Sequence, residues 1–340
     1  MDPVVDPGSA DVAIVGAGPC GLAAAIAMRR AGLRAVTFDA SCIVSTVAAY
    51  PTYMTFFSTA ERLAIGGLPF VVATDKPTRR DALAYYRAVV RHFDLDVRQY
   101  RRVVDVARAD ERFVLHTEDR HGRAAHLDAG AVVIATGYKG MPNLLGVPGE
   151  SLPHVTHEFR EGHEAFGLPV AVVGGGNSAS EAALELWRNG ARVTLVHFAE
   201  GPDPNVKPWV LPDLLNRIKD GDITPRWNSR VREIGADWIR LDSPEAPERI
   251  RAERVYLMTG WTPSSGLLEM VGVRLDPRTG IPSHDRETME TNVPGVYLAG
   301  VLASGYDANK IFIENGRHHG ELIAADLVRT TGLDAIASPT

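Results

Sequence analysis

Cysteine is almost missing from this sequence: only Cys20 and Cys42 stand among 340 residues. No C-x-x-C or C-x-x-x-x-C pair occurs. That excludes a disulfide-stapled scaffold, a Cys-rich zinc site and a closely spaced redox dithiol. A surplus of positive charge is missing too. The 36 Lys and Arg against 42 Asp and Glu leave a net charge of −6, which argues against a general nucleic-acid surface. No apolar run approaches the ~20 residues of a membrane span. Met1 to Asp11 has neither the basic nor the apolar region of a secretory leader. The expectation is a cytoplasmic protein with no membrane or nucleic-acid partner.

What is present is a soluble, globular composition, 45% hydrophobic and 23% charged, in a chain long enough for two domains. Near its start an apolar run, Val12 to Val15, meets Gly16-Ala17-Gly18-Pro19-Cys20-Gly21 and opens into an alanine-rich helix, Leu22 to Ala31. This is strand, glycine turn, helix. Gly16 makes the tight turn, Gly18 lets the backbone approach a pyrophosphate, and Gly21 lets the helix pack on the strand. The helix N-terminus presents N–H groups and a positive dipole end to the phosphates. A second strand, Arg34 to Phe38, ends at Asp39, placed to accept the ribose hydroxyls.

The pattern then recurs. Val170 to Val173 reads as a strand, Gly174-Gly175-Gly176-Asn177-Ser178-Ala179 as G-x-G-x-x-A, and Ser178 to Arg188 as a helix. After the next strand, Arg192 to Val196, the ribose position holds His197 rather than an acid. An acid there would repel a 2′-phosphate, so its absence favours NADPH, with His197 and Lys207 as the nearby cations. Two fingerprints, one with an acid and one without, predict FAD on the first and NADPH on the second. The fold class is therefore α/β with two Rossmann-like dinucleotide-binding domains. The domains are drawn as 1–150 with 264–340 for FAD, discontinuous because the last strand and helix return, and 151–263 for NADPH.

Between these lie other elements. Ser41 to Phe70 reads as irregular, and its aromatic and hydroxyl-rich part suits a ligand-lining segment. Pro77 to Asp81 opens a helix to about His92, with Leu83, Tyr86, Val89, Val90 and Phe93 as its core stripe. Asp96 to Leu127 reads as a small antiparallel meander, and His116, His121 and His126 as exposed strand or turn residues, not a metal site. Ala131 to Gly137 reads as a buried parallel strand ending in Ala135-Thr136-Gly137, and Val255 to Gly260 echoes it. Val296 to Gly300 is one more buried strand, and Asn309 to Arg329 a helical C-terminus.

The arrangement resembles the low-molecular-weight thioredoxin reductases, and more closely the YpdA-type bacillithiol-disulfide reductases. The residues that carry the resemblance are Gly16 to Leu22 with Cys20 inside, Tyr50-Pro51-Thr52 with Thr55-Phe56-Phe57-Ser58, Gly174 to Ser178, Val206 to Pro212, Met289 to Asn292, and Phe312 to Arg317. The resemblance implies FAD, NADPH, a homodimer or larger homo-oligomer, and reduction of bacillithiol disulfide. It also implies that Cys20 is the redox-active thiol, which the helix N-terminus would favour as thiolate and two nearby phosphates would oppose. The residue-level alternative is a small side chain filling a slot. Cys42 reads as a structural thiol. Thr55, Phe56, Thr136, Gly137, Gly300 and Lys310 join the expected flavin site, Lys310 and Asn315 at the flavin's pyrimidine edge. One departure is Val301, where thioredoxin reductases carry an Asp that holds the ribityl chain. A ferredoxin- or flavodoxin-NADP reductase and a flavin monooxygenase are the rival enzymes on this scaffold.

Overall fold

The computed structural model describes residues 8–243 and 247–331. Among these, one compact unit holds the chain up to Ala48, Met54–Met141 and everything from Thr262 on; the other holds Ala49–Tyr53 and Pro142–Trp261. The joins fall after Met141 and Trp261, where the sequence reading set them after 150 and 263.

The first unit begins with β1 (Gly8–Val15), α1 (Pro19–Arg30), β2 (Ala35–Phe38), α2 (Arg79–His92) and β3 (Asp96–Arg98). It continues with β4 (Arg101–Ala109), β5 (Arg112–Asp119) and β6 (Ala124–Ile134). β1 is central, parallel to β2 on one side and β6 on the other; Val15 stands opposite Phe38 and Ile134, so three strands end in one row. β6 does two jobs. One edge pairs parallel with β1 from Leu127 to Ile134, while the other pairs antiparallel with β5 over Ala124–Ala129 and then parallel with the returning strand Val296–Leu298. The sequence divides this strand into a meander strand and a separate apolar strand; the structure makes them one.

The core of this unit is continuous. Val12, Ile14, Met28 and Phe38 share one cluster with Leu115, Leu127 and Val133, and with Tyr297, Ile323 and Leu327 from the end of the chain. The return is tight: a Cβ on Gly320, in the last helix (His319–Thr331), would lie 2.5 Å from Ala24 Cα in α1. Tyr297 anchors it, donating its buried hydroxyl to Asp326 Oδ2 at 2.8 Å.

α2 begins with a reciprocal cap. The Thr78 hydroxyl accepts from Asp81 N, and Asp81 Oδ2 accepts from Thr78 N. Its buried residues are Ala82, Tyr85, Tyr86 and Val89; Tyr86 and Val89 belong to the expected stripe, whose Leu83, Val90 and Phe93 are half-buried, and Tyr85 joins them. Tyrosine decides this, because its hydroxyls find partners inside. Tyr85 Oη accepts from Ile65 N at 2.9 Å and donates to Leu68 O at 2.8 Å, and Tyr86 donates to Leu63 O at 3.0 Å. His116 and His126 face each other across β5 and β6, exposed and half-buried respectively, and His121 is exposed in the turn.

The second unit comprises β7 (Val155–Thr156), β8 (Pro169–Val173), α3 (Asn177–Arg188), β9 (Arg192–Val196), α4 (Leu211–Lys219) and β10 (Ile223–Arg226). An antiparallel set follows, β11 (Arg230–Ile234), β12 (Trp238–Asp242) and β13 (Glu248–Arg251), and then β14 (Arg254–Leu257). Its parallel sheet runs β10-β9-β8-β14-β7. Every residue of β8 is buried, as a strand covered on both faces requires. No helix among the described residues is long and apolar enough to cross a membrane.

Removing the Tyr297 hydroxyl as Tyr297→Phe leaves a nearly buried carboxylate with one partner fewer. A loss of about 1–3 kcal/mol is expected, read as a lower midpoint of thermal unfolding with the spectrum of the folded protein unchanged.

Candidate functional site

The two glycine turns are built alike. Gly16 N donates to Phe38 O at 2.7 Å and Gly174 N to Val196 O at 2.9 Å, tying each turn to the end of the neighbouring strand. Gly16 has φ +114°, and a Cβ there would meet Ala135 O at 2.3 Å; Gly174 has φ +143°, and its Cβ would meet Met258 O at 2.4 Å. A Cβ on Gly21 would lie 1.9 Å from Gly16 O, so only glycine lets α1 start so close to its own turn. Gly18 differs: among the described residues nothing lies within 4 Å of its Cβ position. That open face, beside first-turn N–H groups that have no acceptor within the helix, fits a pyrophosphate. Pro19 is the first residue of α1, where its missing N–H costs nothing.

Asp39 sits at the end of β2. Its Oδ2 accepts from Ala17 N at 2.9 Å and its Oδ1 from Ser41 N at 2.8 Å. Burial raises its pKa, against the pull of these two N–H groups and of Arg102. Each oxygen keeps a further lone pair, so the half-buried carboxylate can still accept ribose hydroxyls. Thr136 is exposed and Gly137 half-buried just past β6, on the same row as the turn. The residues present thus fit an adenine dinucleotide.

Cys20 is the second residue of α1 and half-buried. Its sulfur is wedged between two glycines: a Cβ on Gly300 would come within 3.1 Å of Sγ, and one on Gly316 within 3.0 Å. Burial raises the thiol from the ordinary 9.0 to about 12, a penalty of roughly 4 kcal/mol on the thiolate. A helix N-terminus returns about 0.3–1 kcal/mol, or up to ~2 when partly buried. Burial wins, and the resting group is the neutral thiol; the balance between helix terminus and phosphates, which the sequence leaves open, is decided by desolvation. His319, whose Nδ1 accepts from Gly300 N at 3.2 Å, is held neutral by burial, with a pKa lowered to about 4. It is far too weak a base to take the proton of this thiol.

The wall on the Gly316 side is held by contacts that the sequence did not reveal. Glu314 and Arg317 stand at i, i+3 on one helical turn, but each has partners elsewhere. Ser58 donates to Glu314 Oε1, and Arg62 Nη1 lies 3.2 Å from Glu314 Oε2. Arg317 donates to the carbonyls of Glu61, at 2.9 Å, and Ala64. The segment Thr55 to Ser58 is therefore clipped to Ile313–Gly316. Thr55 bridges Thr78, and Phe56 is buried in the core. Lys310 is exposed, 3.7 Å from Asp307, and Asn315 holds its own loop, accepting from Phe312 N and donating to Lys310 O. Tyr50 to Tyr53 belongs to the second unit, where Thr52 N donates to Arg160 O at 2.9 Å and Tyr53 to Glu161 at 2.7 Å.

In the second unit Asn177 opens α3 and Ser178 follows, exposed. Asn177 accepts from Lys207 N at 2.9 Å and donates to Asn205 O at 3.2 Å. The Val206 to Pro212 motif is thus a loop clasped to the glycine turn, with Val206 and Val210 in the core. His197 is 3% exposed. Its ring lies under Gly175, whose Cβ would meet Nε2 at 2.4 Å. Asp203, which the sequence did not single out, stands 3.2 Å from that nitrogen.

The sequence pattern described as Pyridine nucleotide-disulphide oxidoreductase matches residues 13–300. The chain is similar to the protein called bacilliredoxin reductase Bdr of Bacillus subtilis strain 168, 42% identical over 93% of this chain and 97% of that one. It is similar in structure to bacillithiol disulfide reductase Bdr from Bacillus cereus, with a TM-score of 0.93 and 40% identity over 95% of this chain and 99% of the other. A thioredoxin reductase of T. acidophilum shares the fold, at 23% identity over 95% of this chain and 99% of the other, with a TM-score of 0.70.

Two expectations follow from the thiol's surroundings. With burial holding the thiol at about 12, alkylation of Cys20 by iodoacetamide should be very slow at pH 7 and rise about tenfold per pH unit to pH 10; a rate that levels off below pH 9 contradicts the raised value. Glu314→Gln weakens the clip, and should cost ~1 kcal/mol and speed that alkylation, both measured on the purified protein.

Proposed function

The chain belongs to the pyridine nucleotide-disulphide oxidoreductase family, and on that premise we propose that it is a flavin-dependent reductase of a low-molecular-weight disulfide, bacillithiol disulfide in the first place. The observation that carries this reading is the pair of matching glycine turns, each on its own sheet, with Cys20 built into the first. The names of its relatives point to the same substrate class.

FAD is assigned to the first unit, held by the open face at Gly18, the start of α1 and Asp39, with Thr136, Gly137 and Gly300 alongside. A nicotinamide nucleotide is assigned to the turn Gly174 to Ser178, NADPH in the pattern that the chain resembles. When bound, the flavin supplies a two-electron carrier between nicotinamide and disulfide.

Cys20 acts as the nucleophile. It loses its proton, its sulfur attacks one sulfur of the disulfide, and the first thiol leaves with a proton, so that a mixed disulfide with Cys20 remains. Two electrons and two protons then release the other thiol and restore the Cys20 thiol. Overall, one disulfide takes up two electrons and two protons. The chain contributes the placement of the sulfur between Gly300 and Gly316, and the burial that keeps it protonated until substrate enters. A homodimer or larger assembly and a cytoplasmic location come with the same resemblance.

Nucleotide oxidation by the purified yellow protein against bacillithiol disulfide, bacilliredoxin, glutathione disulfide, thioredoxin, ferredoxin and oxygen tests the reading. Turnover with bacillithiol disulfide well above the others is expected. Cys20→Ser should lose disulfide reduction and keep nucleotide-to-dye turnover; unchanged disulfide reduction removes Cys20 from the mechanism.

A further inference from the structure

This inference rests on the reading that the second unit binds a nicotinamide nucleotide at its glycine turn. In such sites an acid at the end of the second strand holds the ribose 2′- and 3′-hydroxyls, and a cation there accommodates a 2′-phosphate. Here the strand end holds His197, but its ring is turned under Gly175 and buried. Among the described residues neither ring nitrogen makes an aligned hydrogen bond, and the nearest carboxylate oxygen, Asp203 Oδ1, stands 3.2 Å from Nε2. The imidazole therefore presents no exposed cation to a 2′-phosphate.

The group that does face the turn is an acid. The loop after β9 folds back, with Asp203 N donating to Gly175 O at 2.9 Å and Val206 N to Asp203 O at 3.0 Å. Asn177 clasps the same loop at Asn205 and Lys207. Asp203 Oδ1 is thereby set 3.2 Å from His197 Nε2, with the side chain 44% exposed. Its Oδ2 is 3.3 Å from the Cβ position of Gly176, the residue that caps α3. The neighbouring arginines are engaged: Arg226 is forked onto Glu248 at 2.8 and 2.9 Å, and Arg230 lies over the Phe198 ring at 4.8 Å.

We propose that Asp203 is the specificity-determining residue of the second nucleotide site. From the loop it does what a strand-end acid does elsewhere: it accepts the ribose hydroxyls of NADH and repels the 2′-phosphate of NADPH, so this chain prefers NADH. The fixed loop and the buried histidine behind the carboxylate leave it little room to withdraw.

Calorimetric titration of the oxidised holoprotein with NAD⁺ and with NADP⁺ tests this without turnover. Wild type should bind NAD⁺ about tenfold or more tighter, like charges at close quarters being costly. Asp203→Asn should bring the two affinities together, and Asp203→Glu should retain the preference. The ratio of kcat/KM for NADH and NADPH should move in parallel, and Arg230→Ala should not move it. Tighter NADP⁺ binding by wild type, or a ratio that Asp203→Asn leaves in place, overturns the proposal and leaves the nucleotide site standing. Binding of neither nucleotide overturns both.

Discussion

Main chain packed on main chain, at two glycine turns, is the constraint on which the rest of this structure depends. At Gly16 the backbone passes so close to the carbonyl of Ala135 that no side chain fits, and at Gly21 the helix begins against the turn itself. These contacts set where β1 ends, how α1 leaves it and how β6 lies beside both. Because the end of β6 touches Gly16, the strand cannot slip by a residue without lifting its apolar face from the core. The second unit repeats the arrangement with Gly174 and Met258. The geometry thus comes from the backbone, and the side chains around each turn are left to differ.

They differ in what reaches the mouth of each turn. In the first, the strand-end acid Asp39 is fixed by Ala17 N and Ser41 N, so its charge is held beside the turn by the turn's own backbone. In the second, the strand-end residue is drawn inward under Gly175, and the loop fills the space above it. The sulfur of Cys20 is a third case. It sits where a phosphate-binding helix begins, yet its ionisation is governed by the walls on either side of it, because desolvation outweighs the dipole. Reactivity at this cysteine is therefore a property of Gly300, Gly316 and whatever holds them, more than of its place in α1.

Much of this was legible in the sequence because it is local. Strand, glycines, helix and acid lie within thirty residues, and their spacing carries the geometry. The elements that were misread are those where a distant segment decides. β6 looked like two strands because its partners change halfway along. Tyr85 joins the buried face of α2 because its hydroxyl finds Ile65 N and Leu68 O, partners that its own helix does not announce. Ser58 and Glu314 stand 256 residues apart, and nothing in either motif announces the other.

The clip between them gives those two motifs a physical reason to occur together. Ile313–Gly316 is a single helical turn, too short to be stable alone. It is held from outside, by Ser58 and Arg62 on Glu314 and by the Arg317 guanidinium on the carbonyls that end the helical turn Ala60–Leu63. Each short turn so supports the other. Gly316 is presented to the sulfur by this mutual support rather than by the large core, so the wall beside Cys20 rests on a few polar contacts near the surface. Such contacts can be rearranged at much lower cost than the glycine turns, which places whatever freedom the thiol has on the Gly316 side.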